Sequence, residues 1–335
     1  MSNSDSYDPI TFELIRNALN SITDEMMVTL QRTGRSPTTT QALDCSAALC
    51  DWNGEVLDQG LGVPGHMSSI PAAMNATLAK FGNSLAPGDV VILNDPWAGG
   101  MHLPDIFAIL PIFAGGTIVA YGVTVVHHVD VGGRAPGSMA HDSTEVYQEG
   151  LRISPLKLFE EGKLNRTLAE LIERNVRPPE AVMGDILGEV ASCHMGERRF
   201  LELVDQYGIE TVKLYCRELM DYSERVTRQS ITEWPDGVYE FTDYIDEDGL
   251  DPDPIAIKVK LTIHGDSVTV DFTGTARQAR GAINCSLSST KAAAYTVIRS
   301  AMGVDIPNNG GCFRPVDVIA PEGTITNMKH PGASA

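Results

Sequence analysis

The chain has 335 residues, 43% hydrophobic and 21% charged, and carries 44 acidic against 25 basic residues for a formal net charge of −19. That length buries one large core or two ordinary ones, and so acidic a surface repels phosphate backbones and anionic lipid, which excludes nucleic acid and membrane surfaces as expected partners. No apolar run approaches the roughly 20 residues of a membrane span, no signal peptide is readable in MSNSDSYDPITFELIRN, and the six cysteines show no C-x-x-C spacing, so a cytoplasmic protein with reduced thiols is expected.

Asp8-Pro9 opens a helix, with Asp8 as cap and Pro9 at the first helical position. Behind it Leu14, Ile15, Ala18, Leu19, Ile22, Met26 and Leu30 recur at helical spacing. A β-like segment follows from Cys45 to Asp51, turning at Asn53-Gly54 and returning through Val56-Leu57. His66 to Phe81 reads as a helix with Met67, Ile70, Met74 and Leu78 on one face. Val90 to Leu93 is a short apolar run between turn residues, hence a strand. Ile106–Phe113 and Thr117–Val131 read as two more strands joined across Gly115-Gly116.

From Leu168 to about Thr232 the period turns helical, broken at Arg177-Pro-Pro and at Tyr207-Gly208. Past Trp234 it becomes β again, over Tyr239–Tyr244, Ile255–Ile263 and Val268–Phe272. The expected fold class is therefore α+β, with mixed sheets and a helical middle segment. Three units are expected: 1–160, an N-terminal α+β unit; 161–233, helical; and 234–335, β-rich. The ending KHPGASA has neither a helix end nor a polar tail and is expected to be a truncation.

The chemistry concentrates in NDPWAGGMHLPD (94–105) and YGVTVVHHVDVGG (121–133), which place His102, Asp105, His127, His128 and Asp130 at strand ends and in the loop between. Imidazole nitrogen and carboxylate oxygen are hard or borderline ligands that suit zinc, manganese or iron. His102 and Asp105 lie three apart on a turn restricted by Pro104, and a third imidazole from the neighbouring strand would complete three protein ligands with an open position. His127 and His128 point to opposite faces of a strand, and periodicity alone does not choose between them. The one left out is a proton carrier or a hydrogen-bond partner to a ligand.

Gly132-Gly133 and Gly137-Ser138 are read evenly as substrate approach or as turns. Asp44 and His66 are read first as structural and second as completing a pocket. Arg152 is read as a salt-bridge partner of Glu149 or as a ligand for a substrate carboxylate or carbonyl. The acidic run Asp246 to Asp253 lacks the spacing of a calcium loop and is expected to be a solvated turn. No G-x-S-x-G and no P-loop occurs, so neither serine hydrolysis nor nucleotide binding by this chain is supported. Cys45 and Cys50 are expected to be packing residues.

The blocks DPITFELIRNAL, NDPWAGGMHLPDIF, VVHHVDVGG with APGS behind it, QEGLRISPLKL, NVRPPE followed by GD, and WPDGVYEF with YIDEDG together resemble the hydantoinase B family over almost the whole chain and in the family's order. That family includes B subunits of ATP-dependent N-methylhydantoinase and caprolactamase, the matching half of 5-oxoprolinase, and subunits of acetone and acetophenone carboxylases. The resemblance implies an A-type partner subunit that binds ATP and phosphorylates the substrate oxygen, while the B-type subunit holds a divalent metal. It implies His102, Asp105 and His127 as the ligands and leaves His128 as a neighbour; His128 or Asp130 is read, from its chemistry, as the group that moves a proton. The expected activity is ATP-dependent hydrolysis of a cyclic amide (hydantoin, oxoproline or lactam), the alternative is ketone carboxylation, and a non-enzymatic scaffold with a structural metal is the third reading. Trp97 departs from the family, where tyrosine is commoner, and members usually continue well past residue 335.

Overall fold

The computed structural model describes residues 8–60, 62–304 and 306–334. The polar start before Asp8, the side chain of Met67 and the terminal Ala335 lie outside the described set. The first helix, α1 (Pro9–Thr33), begins as its residues dictate: the Asp8 carboxylate accepts from the amides of Ile10 and Thr11, holding orphan donors of the first turn. Its buried stripe runs Phe12, Ile15, Leu19, Ile22, Met26, Leu30. Leu14, expected on that stripe, is exposed, because one helical step of about 100° turns it away from Ile15.

A single turn, α2 (Pro37–Thr40), leads into β1 (Cys45–Asp51) and β2 (Val56–Gln59), the hairpin predicted at Asn53-Gly54. Next come α3 (Ser69–Phe81), entered through a 3₁₀ turn at Pro64–Met67, then β3 (Val90–Leu93), β4 (Asp105–Ala114), β5 (Thr117–His127), β6 (Leu156–Glu160) and β7 (Lys163–Leu164). The helical stretch is α4 (Arg166–Asn175), α5 (Pro179–Tyr207) and α6 (Ile209–Ile231), divided at the predicted proline pair and glycine. The C-terminal part holds β8 (Gly237–Ile245), β9 (Ile255–His264), β10 (Ser267–Asp271), α7 (Leu287–Met302) and β11 (Val316–Ile319).

Two open sheets result, and the fold is α+β as expected. The larger has seven strands in the order β2-β1-β5-β4-β3-β6-β7, every pairing antiparallel. The smaller runs β11-β10-β9-β8 and is mixed, with β11 parallel to β10. Helices cover both faces of the large sheet. One face packs Ala47, Ile92, Ala108 and Val126 against α1, α4, α5 and α6; the other packs Val91, Phe107, Val123 and Val125 against Ile70, Ala73 and Met74 of α3. A separate core of Ile231, Ile263, Val268, Val270, Ile298 and Val316 lies under the small sheet. Among the described residues no helix is long and apolar enough to cross a membrane.

The structure departs from expectation at two further points. Strand β5 stops at His127 rather than Val131: the His128 amide still bonds its in-register partner, the Pro104 carbonyl, at 2.8 Å, but Pro104 has no N–H to return, and the chain then turns through Gly132 and Gly133 at positive φ. In the acidic run, Asp248 is buried rather than solvated: its carboxylate accepts from the amides of Leu250, Asp251, Arg280 and Gly281. The cysteines are free, five of them buried, and burial pushes the Cys45, Cys193 and Cys216 thiols up to about 12, which makes them packing residues and poor nucleophiles.

Candidate metal centre

Register builds the site. Asp105 and His127 are direct partners across the β4–β5 ladder, so both side chains leave the same face of the sheet. That face is the α3 face, since Phe107 and Val125, two residues along each strand, pack against α3. His102 arrives from the loop before β4, where Asn94 fixes the backbone. The Asn94 amide donates to the carbonyls of Leu103 and Leu151 at 2.6 and 2.9 Å and accepts from the Ile153 amide at 2.6 Å.

Three ligand atoms meet there: His102 Nε2, Asp105 Oδ1 and His127 Nδ1, separated by 3.1, 3.1 and 3.2 Å. Asp105 is buried, while the two imidazoles are 18% and 15% exposed, leaving the triangle open on one side. These contacts cannot all be hydrogen bonds. An ionised carboxylate only accepts, and each ring nitrogen carries either one proton or one lone pair. Every protonation pattern therefore sets two lone pairs or two N–H groups face to face along one edge. A cation removes that conflict, because all three atoms can then present lone pairs. The edges also fall within the roughly 3.0–3.4 Å that ligands about 2.1 Å from one ion adopt between octahedral and tetrahedral angles. The donor set fits a divalent metal.

Electrostatics agree. Burial works against charge at His102, but the Asp105 carboxylate beside it outweighs that cost and raises its pKa. Burial alone would raise Asp105, yet the charge and hydrogen bonds of the two imidazoles hold it well below the usual carboxylate range. His66, buried with Nδ1 2.9 Å from Ser46 Oγ, is lowered by burial, against the pull of Asp105 and Asp44. Asp44 itself is half-buried, and its carbonyl accepts from the His127 amide. Both residues border the triangle.

The other sequence candidates fall elsewhere. His128 is fully buried on the opposite face, with Nε2 3.2 Å from Glu189 Oε1 of α5. Thr124, four residues earlier on β5, donates to the other oxygen of the same carboxylate. Burial pushes Glu189 up to about 7. Asp130 accepts from the amides of Gly132, Gly137 and Arg177 and from the Arg177 guanidinium, so it ties the glycine loop to the start of α5. Gly132 and Gly133 are required by close packing: a Cβ would lie 2.4 Å from the Asn175 carbonyl oxygen on the first and 2.5 Å from the Glu149 backbone on the second. Arg152 does not pair with Glu149; its carboxylate neighbour is Asp95, 3.7 Å away. Asn94 and Glu189 were missed by sequence reasoning. The NDP turn hinted at the first, and only the register of β5 against α5 shows the second.

An α+β fold with two imidazoles and a carboxylate at the end of an antiparallel strand pair defines a candidate metalloprotein. The Hydantoinase B/oxoprolinase family matches residues 8–335, and the chain belongs to that family. Caprolactamase subunit beta of Pseudomonas jessenii is 34% identical over 325 residues, covering 97% of this chain and 56% of that protein. The crystal structure of the ATP-dependent caprolactamase from Pseudomonas jessenii matches with a TM-score of 0.93 at 33% identity, over 99% of this chain and 57% of that one. An acetone carboxylase, in its nucleotide-free structure, shares the fold at a TM-score of 0.91 and 21% identity, over 98% of this chain and 45% of that one. The chain thus spans about half the length of these three relatives, 45% to 57%.

Proposed function

We propose that this chain is the metal-holding, B-type part of an ATP-dependent cyclic-amide hydrolase, acting on a hydantoin, oxoproline or lactam together with an A-type partner subunit that binds ATP. The observation that carries this reading is the triangle of His102, Asp105 and His127, three lone-pair donors packed too closely to be satisfied by protons alone. Family membership and the caprolactamase likeness support the substrate class.

A divalent ion held there, zinc, manganese or iron, supplies Lewis acidity and lowers the pKa of water. The chain's own residues set the geometry. Asp105 and His127 are fixed by the β4–β5 register, and Asn94 fixes the loop that delivers His102. In this reading His128 holds the end of β5 through Glu189, and Asp130 holds the glycine loop through Arg177; both are positioning residues, since neither side chain reaches the triangle. Asp44 and His66 stand close enough to the triangle to act on its charge.

Two measurements test this. Elemental analysis of the purified protein should find about one divalent ion per chain, lost in His102→Ala and in Asp105→Asn; stoichiometric metal retained in His102→Ala overturns the assignment. With the A-type partner added, ATP should be consumed in the presence of a cyclic amide. Consumption only with a ketone plus bicarbonate replaces the hydrolase by a carboxylase.

A further inference from the structure

Arg152 stands out among the cations near the site. Its Cζ lies 5.6 Å from the ring centre of Trp97 and 5.7 Å from that of Tyr147. The rings are anchored by their polar ends, Trp97 Nε1 donating to the Met328 carbonyl at 3.2 Å and the Tyr147 hydroxyl lying 3.1 Å from His330 Nε2. His330 packs against both rings, 4.9 and 5.5 Å between centroids. The guanidinium is therefore held in orientation by two aromatic faces. Its donors are not used up, however. Among the described residues Arg152 makes no hydrogen bond, its only carboxylate neighbour being Asp95 at 3.7 Å from Nε, and its side chain remains 31% exposed. Arg177, by contrast, spends its guanidinium on one carboxylate and two carbonyls, and Arg314 on three carboxylates.

The position matters as much as the open donors. The Asn94 amide nitrogen bonds the carbonyls of both Leu103 and Leu151. The residue after His102 and the residue before Arg152 are thus neighbours in space. On a chain with 44 acidic residues, a cation with free donors is a place where an anionic group can be met rather than repelled. A planar guanidinium with two parallel N–H bonds suits such a group.

We propose that Arg152, oriented by Trp97 and Tyr147, is an oxyanion-binding residue bordering the metal triangle, taking a carboxylate or phosphoryl group of the substrate. That the bound group belongs to a substrate rests on the function proposed above; the anion site itself does not. The test uses intact protein stripped of metal by chelation, so that no ion competes for the anion. Binding of inorganic phosphate and of acetate is measured by calorimetry for the wild type and for Arg152→Met, Arg152→Lys and the double variant Trp97→Leu with Tyr147→Leu. Arg152→Met should weaken the preferred anion at least about tenfold, Arg152→Lys should recover part of the phosphate affinity, and loss of both rings should weaken binding about threefold or more. Whichever anion the wild type prefers distinguishes phosphoryl from carboxylate recognition.

The Arg152 variants, reloaded, should keep wild-type metal content by elemental analysis, which shows them folded at the triangle. Unchanged binding of both anions by Arg152→Met, or no measurable binding of either by the wild type, overturns the proposal. Failure of the metal reading shows itself separately, as metal retained in His102→Ala, and leaves the metal-free anion measurement standing.

Discussion

His127 and His128 are consecutive, yet a sheet lies between their side chains. Strand alternation made their opposition legible in the sequence, but not which of them faces the ligands. That choice is made by residues distant in the chain: Glu189 draws Thr124 and His128 to the α5 side, and Asp105 stands opposite His127. Their replacements should therefore separate two properties. His127→Ala should lose the metal and cost little in metal-free stability. His128→Ala leaves a buried carboxylate without its main partner and should cost about 2–4 kcal/mol by urea denaturation, while the ligand atoms remain in place. A large stability loss in His127→Ala with none in His128→Ala would reverse the assignment. Asp248 carries a second residue-scale prediction. Burial disfavours its charge, but four backbone amides outweigh that and hold its pKa down to about 2. A depressed folded pKa contributes stability above the unfolded value, lost as pH falls through about 2. The residue is only 3% exposed, but little protein surrounds its carboxylate, so solvent screening limits the effect to roughly 1–2 kcal/mol. Asp248→Asn should melt lower than the wild type at pH 7, and the gap should narrow as the pH drops from 4 toward 2. In the sequence this residue was hidden among other acids; only the fold brings Arg280 and Gly281 over it.

At the scale of elements, helix limits were the most legible part, because Pro, Gly and capping residues act locally. Asp8-Pro9, Arg177-Pro-Pro and Tyr207-Gly208 all mark real ends. What the sequence concealed is how closely helices cross. On α5, Gly184, Gly188, Ser192 and Gly196 recur every fourth residue and face α1 and the turn after it. A Cβ on Gly188 would lie 2.9 Å from Thr33 Oγ1, one on Gly196 would lie 2.5 Å from Met26 Sδ, and Ser192 Oγ donates to the Met26 carbonyl at 2.8 Å. Four small residues at helical spacing carry no hydrophobic signal, so a reading based on apolar periodicity passes over them. Helix α7 escaped for a related reason, its buried side being largely alanine, serine and threonine. Gly188→Val should destabilise by about 1–3 kcal/mol, as overpacking does. Leu187→Val, a control on the exposed side of the same helix, should stay within about 0.5 kcal/mol. Equal melting temperatures for Gly188→Val and the control would show that the two helices have room to part.

Over the whole molecule, two cores meet along α6. Its first turns, from Val212 to Met220, belong to the core of the large sheet, and its last residue, Ile231, belongs to that of the small one. Polar ties join the halves at the surface: Arg314 binds Glu55, Asp221 and Glu224, and the Gln59 amide donates to the Asn308 carbonyl at 3.0 Å. The α+β class was legible because each strand or helix announces itself locally. The seven-strand order was not, since β1 pairs with β5 although residues 52–116 lie between them. This arrangement predicts where loss of the proposed metal would be felt. The ligand atoms lie at one end of the large sheet, and the Asn94 clamp couples them to the 149–153 segment, whereas no residue of the small sheet contributes to the triangle. Binding to the native state alone stabilises in proportion to ligand excess, but local opening follows local contacts. Chelation should therefore raise amide hydrogen exchange at 100–107, 121–133 and 149–153 and leave 257–271 unchanged, read peptide by peptide in mass spectrometry. A uniform rise that includes β9 and β10 would mean that the ion governs global unfolding, and that the two cores do not open independently.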